Sequence, residues 1–496
     1  MAWHLLIFLM ISAGDVTMQP ASTPASEPTL SLSHKIVDSV PTNVPHLPYL
    51  EPRQATRDLE VRCEAQGLIL PGLGTLDAGA ERKDSTCRFW VLLAGILFCV
   101  ARRWRPAFAL SLALITTGCN WTMYRGNAQR TGRTVTVTSQ NQGKLFWSVT
   151  NPGFGDFYIA SGPVIGPGPT IYAGGNDGRL YAFNSNGGQE WAFDTGGPGV
   201  LTAAGIASDG TIYATNGNLF AVNSNGTLRW RFVPPGPGIP FEPAIGSDGT
   251  LYFGDQCGTV YAMSPTGTIN WKFIQYSVPA CENGTTIGQP AGTPAVASDG
   301  TIYIPIDLQS NGVNVVLVAL TPSGNVKWIS GFGGQPAVSS TGAIYFTTQD
   351  PATFKLYLTA LNAAGSLQWQ LNFPCCGGFT PAIAADGTIF LGTGQGLWAV
   401  NPDGSMKWQF RTDLVFGVPT IGGDGTIYAP VSGGTIFMAV NSNGTLKWTS
   451  DDWSSVDACG VFVNEPAIGP DGTIYLIPEN DGNGICNPNG PLLAFH

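Results

Sequence analysis

The stretch from Thr202 to Val233, TAAGIASDGTIYATNGNLFAVNSNGTLRWRFV, returns in variant form until the chain ends. It holds two turn signals, the pairs Asp209-Gly210 and Asn225-Gly226. Gly and Asn tolerate the positive φ that tight hairpin turns require. The runs GIA, TIYA, LFAV and LRWRF are short and rich in β-branched or aromatic residues, which favours strands. The unit is therefore predicted to be a four-stranded antiparallel meander, repeated so that its faces are buried by radial stacking.

Two markers count the repeats. The turn phrase occurs eight times, as GPGPTIY from Gly166 and as variants of SDGTIY from Ser208, Ser247, Ser298, Ser340, Ala385, Gly423 and Pro470. The tryptophan of the fourth strand also occurs eight times, at Trp147, Trp191, Trp230, Trp271, Trp328, Trp369, Trp408 and Trp448. The sequence therefore predicts an all-β fold, an eight-bladed β-propeller of four-stranded antiparallel blades.

The two markers are out of phase at the chain ends. Trp147 precedes every turn phrase, whereas the last unit ends in LLAFH without a tryptophan strand. Joining LLAFH to QNQGKLFW reproduces the internal pattern LFAVNSNGTLRW. We therefore expect the N-terminal strand to complete the last blade, so that main-chain hydrogen bonds close the ring.

The repeated tryptophan is interpreted as structural. Strands such as TIYA and LYAF show little polar alternation, as expected when both sheet faces are covered. A tryptophan wedged between blades buries a large apolar surface and donates its indole N–H to a loop carbonyl. Trp230→Ala is expected to cost about 3–5 kcal/mol.

Composition limits the function classes. Only 11% of residues are charged and 65 are Gly, which is typical of many short strands and tight turns in one large domain. From Asn120 onward there are thirteen Lys or Arg and twenty-three Asp or Glu, a balance that should repel nucleic acid. The histidines are His4, His34, His46 and His496. Histidine-based metal sites and Ser-His-Asp catalysis are therefore excluded within the repeats.

The chain before the repeats resembles an export signal. Residues 1–101 are expected to be disordered or spurious upstream sequence. In 102–119 three arginines precede the apolar run PAFALSLALI and the sequence Thr-Thr-Gly-Cys119. This resembles a bacterial lipobox, which implies lipidation at Cys119 and a periplasmic or outer-surface location in the cell envelope. The alternative is a membrane hairpin or signal anchor over Phe89–Ile115. Residues 120–142 are predicted to be a lead-in linker and 143–496 the propeller.

The repeat pattern PAIGxDGTIYxG and GxLYAxNxxGxxxW, with the lead-in CNWTMYRGNAQRTG (Cys119–Gly132), resembles the pyrroloquinoline quinone (PQQ) repeat family of eight-bladed quinoprotein-like propellers. The resemblance covers Cys119 to His496. It implies a fold but not an activity. The superfamily includes PQQ- and calcium-dependent alcohol dehydrogenases, and also cofactor-free lipoproteins similar to the scaffold subunit of the outer-membrane barrel assembly machine.

Six cysteines fall in the loops that join the fourth strand to the next blade or the second strand to the third. These loops open on one face of the ring, called here the top face. An even number of cysteines in an exported protein suggests disulfides, and we predict the bridges Cys257–Cys281 and Cys459–Cys486. The remaining Cys375 and Cys376 are adjacent. In the quinoprotein alcohol dehydrogenases that the repeats resemble, two adjacent cysteines form a strained disulfide ring over the quinone, and the resemblance implies the same role for this pair. The alternative is a structural bridge or two free thiols.

Several acids are candidates for an enzymatic site. Glu242 and Glu465 precede the Pro-Ala-Ile that opens an inner strand, where other units have Gly162, Thr293, Gln335, Thr380 and Val418. An enzyme of this superfamily would use such carboxylates for calcium, with Asp255, Asp307 or Asp457 as the base. Arg411, together with Cys375 and Cys376, would contact the cofactor. The alternative interpretation is that these acids are solvated loop residues.

The expected function is that of a binding or scaffold module without a cofactor. Its partner would be a protein or peptide at the top face or at the blade edges, with no nucleic acid and with membrane contact only through a lipid anchor. The alternative is a PQQ- and calcium-dependent alcohol or sugar dehydrogenase.

Overall fold

The computed structural model describes residues 121–150, 162–166, 168–197, 202–235, 238–239, 241–255, 258–274, 289–290, 292–307, 315–350, 355–373, 380–411, 414–432, 435–452, 454, 462–463, 465–479 and 491–496. All of them belong to one compact unit, Gly72–His496. Within these ranges the regular elements are all strands, and no helix is present that could cross a membrane.

Eight antiparallel sheets form the ring, each with four strands in its main path, and this confirms the predicted fold class. The first three blades contain β2 (Val164–Ile165), β3 (Ile171–Gly174), β4 (Arg179–Phe183) and β5 (Gln189–Asp194); β6 (Thr202–Ile206), β7 (Ile212–Thr215), β8 (Leu219–Val222) and β9 (Leu228–Phe232); and β10 (Ala244–Ile245), β11 (Leu251–Gly254), β12 (Thr259–Met263) and β13 (Ile269–Ile274).

Blades four to six contain β14 (Gln289–Pro290), β15 (Ala295–Val296), β16 (Ile302–Asp307), β17 (Val315–Leu320) and β18 (Val326–Ser330); β19 (Ala337–Val338), β20 (Ile344–Gln349), β21 (Leu356–Leu361) and β22 (Leu367–Phe373); and β23 (Ala382–Ile383), β24 (Ile389–Thr393), β25 (Gly396–Val400) and β26 (Met406–Phe410). Blade seven contains β27 (Val415–Phe416), β28 (Thr420–Ile421), β29 (Ile427–Ser432), β30 (Phe437–Val440) and β31 (Leu446–Thr449).

Blade eight is built from both ends of the described chain. It contains β33 (Ala467–Ile468), β34 (Ile474–Leu476), β36 (Pro491–Phe495) and β1 (Leu145–Thr150), with the ribbon of β32 (Phe462–Val463) and β35 (Pro478–Glu479) beside it. Strand β1 pairs with β36 from Leu145↔Phe495 to Thr150↔Pro491. The first strand of blade eight, β33, contacts the first strand of blade one, β2. The predicted closure of the ring by the N-terminal strand is therefore confirmed.

The repeated tryptophan lies between blades, as predicted. In seven blades its indole Nε1–H donates to a carbonyl in the last turn of the next blade, for example Trp230 to Pro265 at 2.9 Å. The same ring contacts the aromatic residue of the TIY phrase in its own blade, as Trp230 does with Tyr213 at a centroid distance of 5.8 Å. These tryptophans are all half-buried, so each contributes less buried area than a core tryptophan would.

A glycine with positive φ faces each tryptophan. A Cβ on Gly365 would lie 2.5 Å from the Trp328 ring, and one on Gly444 would lie 2.7 Å from the Trp408 ring. The eighth pair joins Trp448 to Gly143, where the same distance is 2.4 Å. Trp448 donates to the carbonyl of Asn141 at 2.8 Å. Residues 141–144 therefore replace the last turn of blade eight, which is split between the two ends of the chain.

The segment before β1 differs from the expected linker. Trp121, Arg125 and Arg130 in this segment are almost completely buried, and Met123 forms a bridge with Gly205 on the first strand of blade two. Residues 121–138, called here the channel segment, follow the inner strands of the ring. A short non-repeating segment can be fully ordered when it satisfies backbone groups that are buried at an inner sheet edge.

Candidate functional site

The inner strands present their free edge to the channel segment. An amide in each of six blades donates to a carbonyl of the segment at 2.6–2.9 Å. The pairs are Ile165 to Trp121, Ile206 to Thr122, Val296 to Ala128, Val338 to Gln129, Ile383 to Thr131 and Ile421 to Gly132. An inner edge strand with no partner would leave these amides buried and unsatisfied, at a cost of roughly 1–3 kcal/mol each. The segment therefore satisfies the inner edge of most of the ring.

Two arginines of the segment extend between blades. Arg125 donates through Nη2 to the carbonyl of Pro381 at 2.6 Å and through Nη1 to that of Pro419 at 3.5 Å. Arg130 donates through Nε to Pro294 at 3.0 Å and through Nη2 to Pro243 at 3.3 Å. These prolines come directly before inner strands of blades six, seven, four and three. Each planar guanidinium therefore links two adjacent blades, which a single ammonium group does less well.

Both arginines have positive φ, 61° for Arg125 and 58° for Arg130. Such a backbone conformation costs of order 1 kcal/mol for a non-glycine residue. The guanidinium of Arg130 also lies over the Tyr124 ring, with 5.4 Å between its Cζ and the ring centroid. The hydrogen bonds of the buried side chains offset this strain.

Glu465 is the partner of Arg125. Its Oε1 accepts the backbone N–H of Arg125 at 2.5 Å, and its Oε2 lies 3.5 Å from Nη1 of the same residue. Glu242 accepts a hydrogen bond from the Thr293 hydroxyl at 3.1 Å, and Gln335 in turn donates to Thr293 at 3.3 Å. Both glutamates are nearly inaccessible. The two acids that depart from the repeat pattern therefore lie inside the ring rather than in solvated loops.

The two carboxylates and two guanidiniums influence one another. Burial raises the pKa of the Glu465 carboxyl to about 7; the nearby Arg125 and Arg130 oppose this shift, and Glu242 adds to it. Burial lowers the pKa of Arg130 to about 10, with Glu242 acting in the opposite direction. These four groups are called here the channel cluster. With both acids ionised the cluster has no net charge, which reduces the cost of burying it.

The channel cluster does not fit a calcium ion. Calcium takes six to eight oxygen ligands, mainly carboxylates and carbonyls. The Glu465 carboxylate already accepts from Arg125, and two guanidiniums would repel a divalent cation at this position. Among the described residues no group of three or more His, Cys, Asp or Glu side chains could hold a metal ion. A quinone site built on Glu242 and Glu465 would first require the segment to leave.

Two of the candidate bases, Asp255 and Asp307, are buried at strand ends within their own blades. Asp255 is buried at the turn between β11 and β12, where it accepts from the Thr259 amide at 2.9 Å and the Tyr261 hydroxyl at 2.6 Å. Asp177 makes the equivalent bond to Tyr181 at 2.6 Å in blade one. Because this interaction recurs in a second blade, it is a structural feature of that turn. Asp307 is buried at the end of β16.

Arg411 lies outside the channel. It follows β26, the outermost strand of blade six, and its exposed side chain donates through Nε to Gln409 at 2.7 Å. Asp457, Cys119 and the six cysteines of the repeats, Cys257, Cys281, Cys375, Cys376, Cys459 and Cys486, lie outside the described residues. Their predicted roles therefore stay predictions.

Sequence reasoning missed Arg125 and Arg130. One signal was available: Glu242 and Glu465 interrupt an otherwise uncharged inner position, and buried carboxylates require a cation or a proton. The inner strands contain no Lys or Arg. The channel segment does contain arginines, and two of them supply the charge.

Comparisons with known proteins identify the family. A family model described as outer membrane protein assembly factor BamB matches residues 131–357 and 354–485. No curated protein matches the chain. Among solved structures, quinohemoprotein alcohol dehydrogenase from Comamonas testosteroni is similar with a TM-score of 0.56 and 14% identity, covering 76% of this chain and 80% of that one.

Two further structures show similarity of the same kind. A europium-containing methanol dehydrogenase has a TM-score of 0.57 and 13% identity, covering 77% of this chain and 99% of its own. BamB from Moraxella catarrhalis has a TM-score of 0.42 and 17% identity, covering 57% of this chain and 81% of its own. At these identities the two dehydrogenase structures indicate the fold alone. The family model spans most of the repeats. The chain therefore belongs to the PQQ-like propeller family whose model is described as outer membrane protein assembly factor BamB.

Proposed function

We propose that this protein is an exported, lipid-anchored binding or scaffold module of the cell envelope, which holds a protein or peptide partner at its top face or blade edges. The observation that carries the proposal is the bond between Arg125 and Glu465. Glu465, one of the two acids that an enzyme would direct at a metal, is instead bound by the chain's own segment. The matching family model is described as an outer membrane protein assembly factor, which supports a role in protein assembly.

The outer strands supply a suitable binding surface. Along β13 and β1 the exposed and half-buried residues alternate, so one row of side chains on each outer strand is accessible. An outer strand also presents main-chain groups on its free edge. An extended peptide can add to such an edge by main-chain hydrogen bonds, with side-chain contacts providing specificity.

The alternative function is that of a PQQ- and calcium-dependent dehydrogenase of alcohols or sugars. The fold similarity to alcohol dehydrogenases favours it. The experiment that separates the two is to mix the purified protein with PQQ and calcium, desalt it and measure quinone absorbance. The scaffold proposal expects no retained quinone and no dye reduction with primary alcohols or glucose. Retained quinone together with alcohol-dependent dye reduction would favour the dehydrogenase over the scaffold function.

The anchor has a separate test. The intact mass of the mature protein should correspond to an acylated chain that begins at Cys119, and Cys119→Ala should move the protein from the membrane fraction to the periplasmic fraction. A mature chain that retains residues 1–118 would contradict lipidation at this position, while leaving the scaffold function open.

A further inference from the structure

We propose that the inner wall of the ring is a binding site for an extended polypeptide segment that carries two arginines, and that residues 121–138 fill this site as an intramolecular ligand. This inference does not depend on the scaffold function or on the lipid anchor. It assigns a ligand class to the channel, and it makes the channel segment an autoinhibitory occupant of that site.

The first argument is the form of the main-chain contact. Six inner-strand amides, one from each of six blades, donate to carbonyls of the segment in the order of the blades, so that the segment is recognised along its length through its main chain. Main-chain recognition of this kind does not require covalent continuity with β1. A separate peptide of the same sequence presents the same carbonyls.

The second argument is charge. Without the segment, Glu242 and Glu465 would remain in a channel whose inner strands contain no basic residue. Two buried carboxylates that have lost their cations are costly, and they attract a new cationic side chain. The two guanidiniums donate to four proline carbonyls of the wall, two each, which are those of Pro243, Pro294, Pro381 and Pro419. The vacated wall would therefore select arginine, with its planar set of donors, over lysine.

The third argument is that the segment carries much of its own shape. The amide of Gly126 donates to Met123 at 2.8 Å and that of Gly132 to Arg125 at 3.0 Å. Asn127 donates through its amide to the Thr131 hydroxyl at 2.6 Å and accepts the Thr131 N–H at 3.1 Å. These local bonds restrict the loop that presents the two arginines. A ligand that is partly ordered before binding loses less conformational entropy when it binds.

The test uses the full chain with the double substitution Arg125→Ala and Arg130→Ala, which weakens the hold of the internal segment. A fluorescently labelled synthetic peptide of residues 121–138 is the probe. We expect it to bind the double variant saturably, at least tenfold more tightly than it binds the unsubstituted protein. A peptide with lysine at both arginine positions should bind about tenfold more weakly, and one with alanine at both positions should not bind measurably.

Hydrogen exchange gives a second readout. In the double variant the amides of Ile165, Ile206, Val338 and Ile383 should exchange faster, and the arginine peptide should restore their protection. If the double variant does not fold alone, the peptide added during refolding should restore folded protein, whereas the alanine peptide should not. Three results would overturn the proposal. They are a folded double variant that does not bind the arginine peptide, an alanine peptide that binds as tightly as the arginine peptide, and a double variant whose refolding the arginine peptide does not restore.

Discussion

The backbone amide of Arg125 donates a 2.5 Å hydrogen bond to the carboxylate of Glu465, a residue of the last blade that lies far along the sequence. The same arginine spreads its guanidinium over blades six and seven. A repeat protein is held together mainly by contacts between neighbouring units. Here one side chain connects three consecutive blades from inside the ring.

The first prediction concerns pH. Burial raises the pKa of Glu465 from an ordinary 4.5 to about 7 in the folded protein. A group of this kind contributes stability below pH 4.5, and the contribution is lost as the pH rises through 7. Relative to Glu465→Gln, the unfolding free energy of the unsubstituted protein should fall by up to about 1.4 kcal/mol per pH unit in this window. Denaturant unfolding of both proteins at several pH values measures this difference in unfolding free energy.

Glu190→Gln is the matched control for this experiment, because Glu190 is exposed on the outer strand of blade one. It should leave the pH dependence unchanged. If Glu465→Gln and the unsubstituted protein have parallel profiles between pH 4.5 and 7, the carboxyl of Glu465 does not titrate there.

The second prediction concerns the glycine that faces each tryptophan. Gly365 and Gly342 lie in the same blade with φ of 80° and 82°, so alanine is strained at both. A Cβ at Gly365 would meet the Trp328 ring at 2.5 Å, whereas one at Gly342 would meet only Ala363 at 3.4 Å. Gly365→Ala should therefore destabilise the protein by about 1–3 kcal/mol more than Gly342→Ala. Thermal unfolding of both variants checks the difference, and equal losses would contradict the importance of the ring contact.

The third prediction concerns the tryptophan itself. Trp230→Ala removes the contact with Tyr213 and the hydrogen bond to Pro265. Since Trp230 is only half-buried, we expect a loss near the lower end of the usual range, about 3 kcal/mol. Trp230→Phe keeps the ring contact and should cost about 1 kcal/mol for the lost hydrogen bond. Chemical denaturation measures the unfolding free energy of both variants. A phenylalanine variant as unstable as the alanine variant would contradict the view that most of the loss comes from the ring contact.

The fourth prediction concerns the carboxyl end. Deletion of residues 491–496 removes β36, which lies between β34 and β1 in blade eight. We expect this truncation to abolish folding of the ring, as seen by loss of near-ultraviolet circular dichroism and by aggregation. His496→Ala removes only a side chain whose Nδ1 lies 3.2 Å from the Thr473 hydroxyl, so it should cost less than about 1 kcal/mol. A soluble, cooperatively folding truncation would show that closure by β36 is dispensable.

The blades were predictable because their signals are local. Pairs such as Asp209-Gly210 set the hairpins, and the phase of Trp147 against the turn phrases identified the strand that closes the ring. The channel segment has no period and no repeat. Its conformation depends on contacts with all eight blades at once, which no window of neighbouring residues contains. Arg125 and Arg130 were therefore not predicted from the sequence. Glu242 and Glu465 were identified as candidates because they depart from the repeat pattern.

The split of blade eight between the two ends of the chain determines when the protein can finish folding. Strand β1 leaves the ribosome before every other strand of the propeller, and its partner β36 leaves last. Blades one to seven can form their hairpins during synthesis, but β1 has no strand to pair with until β36 has been made. Throughout this interval an unpaired strand and the open flanks of blades one and seven are exposed to self-association.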